Sequence, residues 1–109
     1  MTICHSMDIT FKSDLKSEGF TLVNFWAPWC GPCGFFGSVF EEFDREYSNE
    51  VRLLKVNADE ETNTANHFGI MSIPTTILFK DGEPIDKIVG AVPLEKLKQF
   101  IADKKDGTA

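Results

Sequence analysis

Residues 20–33 decide the fold: FTLVNFW (Phe20–Trp26) is followed directly by APWCGPC (Ala27–Cys33). The first part is almost unbroken in apolar and aromatic residues, a pattern typical of a strand buried on both faces. The second part is rich in glycine and proline, which interrupt regular structure. We therefore predict a buried strand that ends in a turn carrying two cysteines, Cys30 and Cys33.

A long amphipathic helix is predicted directly after this turn, over roughly residues 31–48. Apolar side chains recur every three or four positions from Phe36 to Tyr47, which is the period of one helix face. The predicted solvent side carries Glu41, Glu42, Asp44, Arg45 and Glu46.

The rest of the chain shows similar patterns. Before the buried strand we predict an edge strand over Thr2–His5 and a helix over Asp8–Lys16. After the long helix we predict, in order, a strand (Val51–Asn57), a short helix (Glu60–His67), two strands (Thr75–Lys80 and Glu83–Val89) and a last helix opening at Pro93. The two-residue link Asp81-Gly82 predicts a hairpin. The fold class is therefore α/β, a mixed central sheet of about five strands with about four helices on both faces.

The size and net charge of the chain limit the number of domains and the classes of partner. The 109 residues suit a single domain over residues 1–109, with a frayed tail at residues 105–109. A net charge of −6 argues against nucleic acid or a membrane surface as the main partner. No stretch of about 18 apolar residues and no signal-peptide pattern is visible. The low, odd number of cysteines indicates a reducing cytoplasm.

The two clustered cysteines have the spacing needed for disulfide exchange. Cys30 is predicted at a helix N-terminus, where free backbone N–H groups and the helix dipole favour a thiolate, the nucleophilic form. Cys33 follows one turn later, close enough to attack a mixed disulfide on the first sulfur. Gly31 leaves the sulfur of Cys30 uncovered. Pro32 fixes the backbone in the first helical turn, where a backbone N–H would have no partner within the helix.

Other uses of the cysteines and histidines are less favoured. A zinc site needs a second pair of ligands, and Cys4, His5 and His67 are scattered, so we predict no metal. Cys4 is interpreted as a small buried apolar residue of the first strand, with a regulatory or dimerising thiol as the alternative. We assign no role to either histidine.

Four segments resemble the thioredoxin family. Phe25–Cys33 resembles its active-site segment, with the WCGPC core. Met71–Thr75 resembles its cis-proline loop, Phe79–Gly82 its hairpin, and Val89–Ala91 its small-residue stretch beside the active site. The segments occur in order at family-like spacing, and the resemblance spans nearly the whole chain.

The resemblance implies a thioredoxin fold and a thiol–disulfide oxidoreductase that reduces protein disulfides. Cys30 would be the exposed nucleophile and Cys33 the buried resolving thiol. Their redox-active disulfide would serve in place of a bound cofactor. The electron donor would be a thioredoxin reductase, the protein a monomer, and its role electron transport and cell redox homeostasis.

The resemblance also implies a docking surface. From the residues alone, Pro74 would be an ordinary trans proline, and Trp29 and Ile73 could equally be core. In the family pattern Pro74 is cis, and the backbone of Ile73 pairs with the substrate. The implied apolar surface consists of Trp29, Gly31, Pro32, Ile73, Pro74, Gly90 and Ala91.

Two departures from the family pattern bear on mechanism. Asn24 stands where thioredoxins usually place a buried aspartate beneath the second cysteine, and Asn cannot titrate. Lys55, the usual partner of that carboxylate, is expected to reach solvent or pair elsewhere. Gly34 replaces a common lysine and Phe35 a more usual aliphatic residue. We therefore weigh three functions: a general disulfide reductant, a specialised relative with a narrow partner set, and a docking module with secondary redox activity.

Overall fold

A mixed five-stranded sheet forms the centre of the protein in the computed structural model, which describes residues 3–105. The elements in chain order are β1 (Cys4–His5), α1 (Phe11–Asp14), β2 (Phe20–Trp26), α2 (Gly31–Tyr47), β3 (Val51–Asn57), α3 (Thr62–His67), β4 (Thr75–Lys80), β5 (Glu83–Val89) and α4 (Leu94–Lys105). The strand order is β1-β3-β2-β4-β5. Strands β1, β3 and β2 are parallel, whereas β4 and β5 run antiparallel to their neighbours. The predicted class and element order are confirmed.

The hairpin and the central strands have the predicted bounds. In β2 every residue from Thr21 to Phe25 is buried, in agreement with its apolar sequence. Asp81 and Gly82 have φ angles of 53° and 86°, as a tight turn between antiparallel strands requires. The edge strand is observed only at Cys4–His5, and the predicted Thr2 lies outside the described residues.

The two short helices are shorter than predicted, because tertiary contacts set their ends. Helix α1 ends at Asp14, since Leu15 has an extended backbone, and the Asp14 carbonyl accepts a hydrogen bond of 3.1 Å from the Arg52 guanidinium of β3. The start of α3 is capped by Asp8, whose carboxylate accepts hydrogen bonds from the Thr64 backbone N–H (2.8 Å) and the Thr64 hydroxyl (2.6 Å). The Thr64 hydroxyl bond is the main reason that the pKa of Asp8 lies below its usual range.

Two apolar layers cover the sheet. One packs α2 and α4 on the face that carries Leu22, Leu53 and Leu78, and the other packs α1 and α3 on the opposite face. The prediction that Asp44 lies on the solvent side of α2 is wrong, because this residue is only 3% exposed. Asp44 falls one turn after Phe40, on the inward side of the helix.

The last helix extends further than predicted. The sequence predicts Lys105 in a frayed tail, but this residue is helical and bonds the carboxylate of Glu50. Lys104 forms a salt bridge of 3.0 Å with Asp86 of β5. These contacts hold the last turn of α4 against its neighbours, and residues 106–109 lie outside the described part.

Candidate active site

The cysteine pair lies where β2 passes into α2. β2 ends at Trp26, and a turn closed by the Cys30 N–H bonding to Ala27 O (3.2 Å) brings Cys30 to the helix start. Cys30 is the N-cap of α2, and its Sγ accepts a hydrogen bond from the Cys33 N–H at 3.2 Å. The two residues form a disulfide, with Cα atoms 5.3 Å apart. A helix N-terminus therefore points its free donors at the sulfur of Cys30, as the sequence predicted.

The expectation of an exposed Cys30 is wrong for this oxidised form. Cys30 is 7% exposed and Cys33 is 5% exposed, so the two side chains differ little in accessibility. The Cys30 sulfur is covered because it is bonded to Cys33 and packs beside Ala27 and Ile73.

A loop on the other side of the disulfide holds the predicted cis proline. The Ile73–Pro74 peptide bond is cis, which confirms that expectation. The carbonyl oxygen of Ile73 lies 3.7 Å from Cys30 Sγ. Pro74 O accepts a hydrogen bond of 2.8 Å from Gly90 N–H, and Gly90 has a φ of 100° that suits glycine. The structure thus brings Ile73, Pro74 and Gly90 to the edge of the disulfide, with Ala91 next in the chain.

Trp29 is a surface residue rather than part of the core. Its side chain is 70% exposed, and its indole N–H donates a hydrogen bond of 2.6 Å to the Asp59 carboxylate. Asp59 could not be predicted from the sequence as the partner of Trp29, since no local pattern links two residues thirty positions apart. Gly31 and Pro32 are also exposed beside Cys30.

Asn24 lies beneath α2, in register with Lys55 on one neighbouring strand and Thr76 on the other. The side chain is fully buried, and its amide N–H donates a hydrogen bond of 3.3 Å to the Thr76 hydroxyl. The position usually filled by a carboxylate is thus occupied by a neutral amide with a neutral partner.

Lys55 is half-buried, and it neither reaches freely into solvent nor forms an ion pair within residues 3–105. Its ammonium lies over the Trp26 ring, 4.9 Å from the ring centroid. Burial lowers the pKa of Lys55, and the negative charge of Glu41 opposes that shift.

A cavity of about 240 Å³ connects this lysine to the cysteines. Its lining includes both sulfur-bearing residues, the Trp26 ring, Gly37 and Glu41. The indole N–H of Trp26 is buried with no protein acceptor among the described residues. A larger cavity of about 550 Å³ lies between α1, α3 and the hairpin, and it contains neither cysteine of the pair.

The prediction that Cys4 is buried is wrong. Its side chain is exposed, because β1 is a two-residue edge strand whose outer side is not covered. The ring of the neighbouring His5 lies 6.4 Å from the Trp26 ring.

Within residues 3–105, no three His, Cys, Asp or Glu side chains come close enough together to bind a metal ion. No helix in this range has the length and apolarity needed to cross a bilayer.

A helix-capped cysteine pair beside a cis proline, on a mixed sheet of this order, defines a thiol–disulfide oxidoreductase. The family model described as Thioredoxin matches residues 2–103. Thioredoxin of Staphylococcus saprophyticus is 46% identical over 101 residues, covering 93% of this chain and 96% of that protein. Thioredoxin 1 of Synechococcus elongatus is 51% identical over 87 residues (79% and 81%), and Bacillus subtilis thioredoxin is 42% identical over 101 (93% and 96%).

The chain belongs to the thioredoxin family. It is a thiol–disulfide oxidoreductase that reduces protein disulfides by dithiol exchange through Cys30 and Cys33. Proteins of this family work with a redox-active disulfide and need no cofactor, and a thioredoxin reductase generally reduces them.

Proposed function

We propose that Cys30 is the nucleophile and Cys33 the resolving thiol. The observation that carries this assignment is the hydrogen bond from the Cys33 N–H to Cys30 Sγ at the N-cap of α2. A charged sulfur gains more from such a donor than a neutral one, so the contact lowers the energy of the Cys30 thiolate. Cys33 lies within the first turn of α2 rather than at its N-cap.

The substrate segment docks on the surface around the disulfide. This surface consists of Trp29, Gly31, Pro32, Ile73, Pro74, Gly90 and Ala91. Support comes from the position of the Ile73 carbonyl beside Cys30 and from the exposed indole of Trp29. An extended peptide adding to the Ile73 backbone would bring its disulfide to the Cys30 sulfur.

The physiological partners are disulfide-containing proteins and a thioredoxin reductase. The protein acts as a cytoplasmic, monomeric single domain that engages neither nucleic acid nor membranes. The net charge of −6 and the named relatives support this assignment. Partner choice is narrower than that of a general thioredoxin, because Gly34 supplies no positive charge and Phe35, which is 65% exposed, adds an aromatic ring next to the docking surface.

Placing a lysine at position 34, where the family commonly has one, tests the proposed narrow choice of partner. With dithiothreitol as donor, wild type should reduce insulin normally. With Bacillus subtilis thioredoxin reductase and NADPH, its kcat/KM as a substrate of the reductase should lie about tenfold below that of Bacillus subtilis thioredoxin, which corresponds to about 1.4 kcal/mol of lost transition-state stabilisation. Gly34→Lys should recover most of this loss, because a Cβ at Gly34 meets open space.

Gly34→Ala is the matched control, since it improves the helix without adding charge. It should leave the turnover with the reductase unchanged. Equal turnover of wild type and the Bacillus subtilis protein with this reductase would contradict the narrow partner set. Failure to reduce insulin even with dithiothreitol would contradict the function itself.

Asn24 leaves the resolving step without the usual carboxylate base. Asn24→Asp is expected to raise turnover near neutral pH about tenfold, because a carboxylate beneath α2 can accept the Cys33 proton directly. The pH–rate profile should gain an ionisation that belongs to the new carboxyl. Asn24→Ser, which stays neutral, is the control. A pH–rate profile identical to wild type would show that a base at this position is not limiting.

A further inference from the structure

A small cavity extends the docking surface along β5, away from the disulfide. It measures about 130 Å³, and its lining includes Met71 and Ser72 of the loop that leads to the cis peptide bond. Val89 and Lys87 of β5 line its other side. Val89 comes directly before Gly90, a residue of the docking surface, so the cavity is continuous with that surface.

The face of β5 that lines this cavity is not covered by a helix. Lys87 is in register with Ile77 of β4, which belongs to the apolar layer beneath α1 and α3, so both side chains lie on that face of the sheet. Val89 lies two positions further on the same face, about 7 Å along the strand. Met71 is 95% exposed and Val89 is 55% exposed. An apolar surface therefore continues from the docking surface to the side chain of Lys87.

The charge of Lys87 is available to a partner. Lys87 is the one charged residue among the described residues that line this cavity, and its ammonium forms no salt bridge within residues 3–105. The adjacent carboxylate of Asp86 is engaged elsewhere. It bonds Lys104 of α4 at 3.0 Å, and it accepts a hydrogen bond of 2.8 Å from the Lys87 backbone N–H.

We propose that this cavity is a specificity subsite, which binds an acidic side chain of the substrate near the disulfide to be reduced. The proposal rests on the docking surface proposed above, in which an extended peptide pairs with the Ile73 backbone. Such a peptide continues past Ser72 and Met71, and at about 3.3 Å per residue its third residue from the cysteine reaches the cavity. There Met71 and Val89 contact its apolar atoms, and the Lys87 ammonium meets its carboxylate.

The net charge of the chain makes this preference easy to distinguish from long-range attraction. A protein with a net charge of −6 repels acidic peptides at long range. A preference for an acidic peptide must therefore come from a local contact. We expect a preference of about threefold, because an ammonium and a carboxylate at a surface both stay partly hydrated.

The test compares symmetric peptide disulfides that carry either Glu or Gln at the third position before or after the cysteine. Prereduced protein is mixed with each peptide at low ionic strength and quenched with acid, and the released peptide thiol gives a second-order rate constant. All proteins carry Cys4→Ser, because the exposed Cys4 would also react. Wild type should reduce the Glu peptide about threefold faster at one of the two positions, because only one end of the bound strand passes over the cavity.

Three variants separate the local contact from net charge. Lys87→Gln should abolish the preference, and Lys87→Glu should reverse it to about threefold in favour of the Gln peptide. Lys80→Glu is the matched control, because it changes the net charge equally at the far end of β4 from the cis-proline loop, and it should retain the preference. Equal rate constants for the Glu and Gln peptides, or a preference that survives Lys87→Gln, would overturn the proposal alone. No release of peptide thiol by wild type would overturn the proposed function, and the proposal with it.

Discussion

Replacing Cys30 by serine is expected to reduce insulin reduction to the uncatalysed background, a loss of at least about 10³-fold. The serine hydroxyl stays protonated at neutral pH and cannot attack a disulfide as a thiolate does. The fold should survive, since serine is among the best N-cap residues and can still accept the Cys33 N–H bond. Insulin turbidity with dithiothreitol as donor measures the loss.

The chain supplies its own control for this substitution. Cys4 is an exposed free thiol on β1, remote in sequence from the pair. Cys4→Ser should therefore retain full activity. Activity persisting in Cys30→Ser would contradict dithiol catalysis and favour a docking module in which redox turnover is secondary.

Replacing Cys33 by serine should stop the reaction halfway. Cys30 keeps its place at the N-cap of α2 and still attacks, but the mixed disulfide has no internal thiol to resolve it. We expect one equivalent of substrate to be bound covalently, with steady-state turnover lost to a similar extent as in Cys30→Ser. Non-reducing electrophoresis should show an adduct that disappears on addition of dithiothreitol. Normal turnover without an adduct would show that Cys33 is not required for resolution.

The strands were predictable because their signals are local. Phe20–Trp26 is apolar enough to be buried on both faces, and Asp81-Gly82 supplies the positive φ angles of a tight turn. The ends of α1 and α3 were not predictable, because they depend on contacts distant in sequence. The Asp8 cap on Thr64 is one example, since nothing in either local sequence links the two residues.

The same distinction between local signals and distant contacts holds for the active site. The position of Cys30 at a helix N-terminus follows from a buried strand, a Gly-Pro turn and a long amphipathic helix in succession. The bond from Trp29 to Asp59 and the cavity shared by Lys55 and Cys33 arise only when separate elements meet. The covered state of Cys30 depends on the disulfide and on packing against Ile73, which a linear sequence does not display.

Identifying the sulfur that carries the substrate tests the central claim most directly. The Cys33→Ser protein is allowed to react with a disulfide peptide, digested without reduction and mapped by mass spectrometry. The helix-capped nucleophile predicts the peptide on Cys30 in nearly every modified molecule, with only slow modification of the exposed Cys4. A peptide found mainly on Cys4, or no adduct on Cys30, would contradict the assignment of Cys30 as the attacking thiolate.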